Sequence, residues 1–121
     1  MSDNWNDDQP IYKQLRDRVA GLIIDGSFAE GEAVPSVRNV AAESKINHLT
    51  VGKAYQELVD QGVLEMMRGR GMFVMDGARD KLRELERSKF KTDELPALLE
   101  RVSNLGFTVD ELIELLKAAD E

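Results

Sequence analysis

Cysteine is absent from the 121 residues. That excludes disulfides, thiolate nucleophiles and cysteine metal sites, and it fits a reducing compartment. Histidine occurs once, as His48. A lone imidazole without cysteines or a clear carboxylate partner is a poor basis for a metal site, so no metal or cofactor is expected. No apolar run nears the length of a membrane span and no signal-peptide pattern is present, so a cytoplasmic location is expected. Internal repeats and low-complexity stretches are missing. So are catalytic constellations: there is no Ser/His/Asp set with supporting context, no P-loop and no dinucleotide fingerprint, and an enzyme is not expected. Positive charge is also short, with 16 Lys and Arg against 23 Asp and Glu, a net of −7.

What is present is enough apolar material, 42% of the chain, to bury a core, at a length that suits one compact domain or one domain with a small appendage. The stretch that organises the rest is Pro35–Val74, PSVRNVAAESKINHLTVGKAYQELVDQGVLEMMRGRGMFV. Ser36 can cap a first short helix, in which Val37, Val40 and Ala41 recur at helical spacing. Lys45-Ile46 follows as a tight turn. Asn47 can cap a second helix, whose Val51, Ala54, Tyr55 and Leu58 form one apolar face. Gly62 closes it in the left-handed position. The period then drops toward two, so Val63–Met67 and Met72–Met75 read as strands joined by Arg68-Gly69-Arg70-Gly71. Helix, short turn, helix is the geometry that lays a second helix in a DNA major groove. A narrow cationic hairpin directly after it suits the minor groove.

Pro10-Ile11-Tyr12 with Gln14, Leu22–Gly26, Pro35-Ser36-Val37-Arg38, Thr50-Val51, Ala54-Tyr55, Leu58, Gly62 and Arg68-Gly69-Arg70-Gly71-Met72-Phe73-Val74 together resemble the DNA-binding domain of the GntR family, over about residues 10–75 in order and spacing. The resemblance implies that Arg38, in the P-S-x-R motif, reads a base and that Thr50, in the T-V motif, contacts the phosphate backbone. Many relatives carry arginine at position 48 or 52; here stand His48 and Gly52. Histidine reaches less far and usually offers one donor when neutral, and Gly52 offers no side chain, so base preference departs from the common pattern at those positions.

The charge deficit is not local. From Ser36 to Met75, five cations (Arg38, Lys45, Lys53, Arg68, Arg70) face four acids (Glu43, Glu57, Asp60, Glu65), a net of +1. Groove contact depends on such local charge, because salt screens exposed charges beyond about 10 Å. The overall acidity predicts weak non-specific binding.

Residues 1–9 read as a flexible, acidic N-terminal tail, in which Trp5 either packs on the body or stays mobile. Pro10 opens a support helix in which Ile11, Tyr12, Leu15, Val19, Leu22 and Ile23 recur at helical spacing, and Gly26 stops it. Ser27–Val34 is a loop, with Ala33-Val34 able to add a short third strand to the hairpin. Residues 10–76 are thus expected to form the winged helix-turn-helix.

Residues 77–121 read as helix throughout. Leu82, Leu85 and Phe90 punctuate a charge-rich stretch, Thr92 can cap the next segment, and Pro96 is tolerable only near a helix start. Leu95, Leu98, Leu99, Val102 and Leu105 form an apolar stripe ended by Gly106. Thr108-Val109-Asp110-Glu111 is a capping box that opens a last helix with Leu112, Ile113, Leu115 and Leu116. Two readings stand: a helical hairpin packed on its own domain, and a two-fold dimer interface of Leu95, Leu98, Leu99, Val102, Leu105, Leu112, Ile113 and Leu116. The dimer is favoured, since helix-turn-helix proteins read palindromes as dimers. The short tail, with its Leu105-Gly106-Phe107-Thr108 turn, is similar to that of the YtrA subfamily of GntR regulators, mostly repressors.

The expected fold is mainly α with a small β-hairpin, a winged helix-turn-helix plus a C-terminal helical hairpin. The expected function is a homodimeric, sequence-specific regulator of transcription, a repressor acting on palindromic double-stranded DNA operators. Arg38 and His48 are expected at bases; Ser36, Asn47, Thr50 and Lys53 at phosphates or groove edges; Arg68, Gly69 and Arg70 in the minor groove; Leu49 is expected among the DNA-binding residues. The alternative is a protein-interaction adaptor on the same scaffold. A third reading places a small effector or metal between the tail helices, and no effector is identified by the residues.

Overall fold

A computed structural model describes residues 5–120; the fraying expected of residues 1–4 lies outside the described residues. The chain forms two compact units, one running to Arg83 and one from Glu84 onward. The fold is mostly helical with one two-stranded antiparallel hairpin, as expected.

The first unit is built on α1 (Ile11–Ile24), α2 (Val37–Ser44) and α3 (His48–Asp60). Leu15, Val19 and Ile23 recur every fourth residue and meet the apolar face of α3, Val51, Ala54, Tyr55 and Leu58; all seven are buried. Pro10 precedes α1, and Gly26, at φ +88°, follows its C-terminal residue Asp25. Trp5–Gln9, where fraying was expected, are tied to α1 by the Gln14 and Arg18 side chains. Gln14 Nε2 donates to the Asn6 and Gln9 carbonyls at 2.8 and 2.7 Å, and its Oε1 accepts the Asn6 N–H at 3.0 Å. Trp5 packs against the core, with the Arg18 guanidinium 3.8 Å from its ring centroid.

Two caps, one backbone reversal and two long-range hydrogen bonds define α2 and α3 and tie them together and to α1. The Ser36 hydroxyl accepts the Asn39 N–H at 3.1 Å and opens α2. Lys45 closes α2 at φ +54°, a left-handed conformation that a non-glycine residue rarely takes. That single reversal lets the Lys45 and Ile46 N–H groups both reach the Ala41 carbonyl. It turns the chain into Asn47, whose side chain accepts the Leu49 N–H at 2.8 Å and opens α3. The Tyr55 hydroxyl then donates to the Pro35 carbonyl at 2.6 Å, tying the middle of α3 to the entrance of α2. At the far end of α3, the buried Arg16 of α1 donates to Gln61 Oε1 at 2.6 Å and to Asp17 at 3.0 Å.

Strands β1 (Leu64–Met67) and β2 (Gly71–Val74) pair with Leu64 opposite Val74 and Met67 opposite Gly71. The third-strand contact expected at Ala33-Val34 is present as a single bridge, Ala33 to Phe73, flanked by Val34 N–H to the Met72 carbonyl at 2.9 Å. Helix α4 (Ala78–Lys89) begins inside this unit: Ala78 and Leu82 are fully buried in its core. Arg79 donates through Nε to the Ile24 carbonyl and through its backbone to Glu30.

In the second unit the expected break before Pro96 is absent. Thr92 does not cap a helix; its hydroxyl donates back to the Ser88 carbonyl at 3.0 Å. The chain passes from α4 through one wide turn, Phe90–Glu94, in which the Leu95 N–H reaches the Phe90 carbonyl five residues back, and so into α5 (Leu95–Asn104). A turn of that width lets the ladder skip a bond, which accommodates a proline with no N–H to give. Helix α6 (Val109–Ala119) opens with the expected capping box of Thr108 and Glu111. Among the described residues no helix is long and apolar enough to cross a membrane.

The Tyr55–Pro35 bond is testable. Tyr55→Phe should lower stability by about 1 kcal/mol in a thermal or denaturant melt. Burial also pushes the Tyr55 phenol up to about 12. Its contribution is therefore complete below pH 10, the ordinary tyrosine value, and is lost as pH rises through 12. The phenylalanine variant should lack that alkaline decline.

Candidate nucleic-acid interface

Burying one face of α3 against α1 turns the opposite face outward. Leu49, Lys53 and Gln56, at i, i+4 and i+7, lie on that outer side and are exposed, as is His48; Thr50 and Gly52 are half-buried on the flanks. Asn47 serves as a cap, and its side-chain oxygen is engaged with the helix it opens. The Thr50 N–H bonds the Asn47 carbonyl at 3.0 Å.

Arg38, the second residue of α2, is exposed and makes no ion pair among the described residues. The turn at Lys45 folds α2 back so that Val37, Arg38 and Ala41 line one shallow, mostly apolar groove with His48. The two expected base readers thus share one groove. Ser36 is not among the residues that line it, and its hydroxyl accepts from Asn39.

Lys53 sits elsewhere. Its ammonium rests 4.0 Å from the Tyr12 ring centroid, held by α1 through a cation–π contact. The sequence offered no sign of this pair, because 41 positions separate the partners and neither motif predicts the other. Tyr12 is neither buried core nor a free side chain; it is half-buried beneath the lysine.

The wing tip is Arg68-Gly69-Arg70. Gly69 adopts φ +76°, where a β-carbon would be strained, and the Arg70 N–H closes the turn on the Met67 carbonyl at 2.8 Å. Arg68 is exposed. Arg70 is exposed too, but its guanidinium lies 5.1 Å from the Phe73 ring centroid on its own hairpin. The wing arginines do not line the groove that holds Arg38 and His48.

The second unit carries the other candidate surface. Leu98, Leu99, Leu105, Ile113 and Leu116 are exposed, while Leu95 and Leu112 are half-buried. Val102 is already buried and so belongs to the packing of the hairpin itself. Five further large apolar residues, Leu85, Phe90, Phe107, Val109 and Leu115, are exposed and were not among the expected interface residues. Helical spacing could have flagged Leu115. Phe90 opens the wide turn, which the sequence did not announce.

Residues 11–74 match the family model described as bacterial regulatory proteins, gntR family. The HTH-type transcriptional repressor YtrA of Bacillus subtilis (strain 168) is 33% identical to this chain over 108 residues, covering 89% of this chain and 82% of that one. A GntR family transcriptional regulator from Listeria monocytogenes superposes with a TM-score of 0.79 at 26% identity, covering 94% and 98% of the two chains. The AraR DNA-binding domain, solved in complex with operator ORX1, superposes with a TM-score of 0.53 at 27% identity over 55% of this chain and 80% of that one.

A β-carbon built on Gly52 meets nothing within 4 Å. Gly52→Ala should therefore stabilise the free protein by about 1 kcal/mol, the usual helix preference for alanine, read as a rise in melting temperature. If the glycine serves close approach of the α3 backbone to a duplex, the same variant should bind DNA more weakly in a gel shift.

Proposed function

We propose, since this chain belongs to the gntR family of bacterial regulatory proteins, that it represses transcription by binding a palindromic operator as a homodimer. Its relatives are regulators of transcription and not enzymes. The observation that carries the reading is the shared groove of Arg38 and His48 at the exposed entrance of α3. Residues 10–76 act as the DNA-binding domain and residues 77–121 as the dimerisation tail.

In this arrangement Arg38 and His48 contact base edges. Arginine can grip guanine O6 and N7 with two parallel donors. Ser36, Asn47, Thr50 and Lys53 take phosphates or groove edges, Leu49 faces the groove, and Arg68, Gly69 and Arg70 enter the minor groove. Leu95, Leu98, Leu99, Leu105, Leu112, Ile113 and Leu116 pair two copies, with Val102 supporting them from inside the hairpin. The exposure of Leu98, Leu99, Leu105, Ile113 and Leu116 in the single chain supports this, because short amphipathic helices gain most of their stability from a partner.

Arg38→Ala should cost about 1–3 kcal/mol of binding and relax one base position, read by gel shifts on a set of singly substituted duplexes. Arg70→Ala should weaken binding across all sequences and lower the salt slope by about 1; an unchanged slope would place the wing off the DNA. Leu116→Asp, at a site 58% exposed in the single chain, should leave the melt of the first unit intact but convert the dimer to monomer in sedimentation. A full set of duplexes giving no palindrome-dependent shift would favour a protein adaptor, the use that the net charge of −7 would suit.

A further inference from the structure

The leading edge of α3 carries one side chain that no hydrogen-bonding role explains. Leu49 is 70% exposed, more than any other large hydrophobic residue among those described. A lone exposed leucine on an outer helix face would mean little, but this one is the second residue of the helix. Its backbone is locked, because the Leu49 N–H is held by the Asn47 cap at 2.8 Å. It lies opposite Val51, Ala54, Tyr55 and Leu58, so the core does not need it. Its neighbours His48, Thr50 and Lys53 all carry polar groups.

A winged helix presents the first residues of its second helix to base edges in the major groove. Almost every group displayed there is a hydrogen-bond donor or acceptor, which an isobutyl group can only desolvate. The exception is the C5-methyl group of thymine. A single apolar side chain among polar ones is also too small to form a docking patch for a protein, which needs a contiguous surface.

We infer that Leu49 is a specificity residue that packs on the methyl group of one thymine in each operator half-site. The inference rests on the DNA-binding reading above and adds a base identity to it. The gain comes from burying two apolar groups that are both wet in the free partners. It needs no proton and no ion, so it is insensitive to salt, unlike the contacts of Arg38 and the wing.

The test uses the full chain and duplexes that it enriches from a random pool. Each thymine in the enriched half-site is replaced in turn by deoxyuridine, which removes the methyl group and nothing else. At one position the wild-type protein should bind roughly four-fold more weakly per half-site, the value of one buried methyl. Leu49→Ala should be indifferent to that replacement, while its melting temperature stays at the wild-type value. Where that thymine is changed to cytosine, 5-methylcytosine should recover part of the wild-type affinity and none of the variant's. If no replacement weakens wild-type binding by more than about two-fold, or if Leu49→Ala keeps the same sensitivity to deoxyuridine, Leu49 does not read thymine although the operator reading stands. A pool that yields no enriched duplex would overturn the operator reading itself.

Discussion

Four residues on one face of α3, Val51, Ala54, Tyr55 and Leu58, must leave water, and the rest of the first unit is arranged to let them. Helix α1 supplies Leu15, Val19 and Ile23 to meet them, and the Tyr55 hydroxyl reaches across to the carbonyl that precedes α2. Because a helix has one rotation about its axis, hiding that face fixes what the other face shows. His48, Leu49 and Lys53 are outside because Val51, Ala54 and Tyr55 are inside. The site therefore needs no dedicated scaffold, since core packing orients it.

The same constraint explains how an acidic protein offers a cationic surface. Arg38, Arg68 and Arg70 stand exposed on α2 and the wing. Much of the negative charge lies elsewhere, on the leader and on the helices from Asp80 onward. Two of the cations are also positioned by aromatic rings: Lys53 by Tyr12 and Arg70 by Phe73. A long side chain held over a ring has lost part of its rotamer freedom before any partner arrives, which lowers the cost of using it.

The second unit has a different logic. Its last helix opens on a capping box at Thr108 and a wide turn at Phe90–Glu94 leads into Pro96, yet Val102 alone among its described residues is buried. The last helix is capped locally while much of the unit's apolar surface stays exposed. The proposed pairing of two copies would cover it, because a two-fold axis lets one apolar face serve as its own partner.

Much of this was legible in the sequence because it is local. The caps at Ser36, Asn47 and Thr108, the left-handed Gly62 after α3, and the period change from α3 into the wing depend on residues within four or five positions of one another, and the structure has them where the sequence placed them. The family resemblance was legible for the same reason, being a run of spaced motifs. What only the tertiary structure decided was long-range or depended on a choice between local alternatives. Gln14 anchors the leader, Lys53 sits on Tyr12, Arg38 and His48 share one groove, and α4 begins inside the first core; each joins residues that no period relates. At Thr92 the sequence offered a hydroxyl fit to cap a helix, and the chain used it to bond back within a continuous one. The choice there was set by how the backbone around Pro96 could keep its hydrogen bonds, and a side chain's capping preference is too small an energy to overrule that.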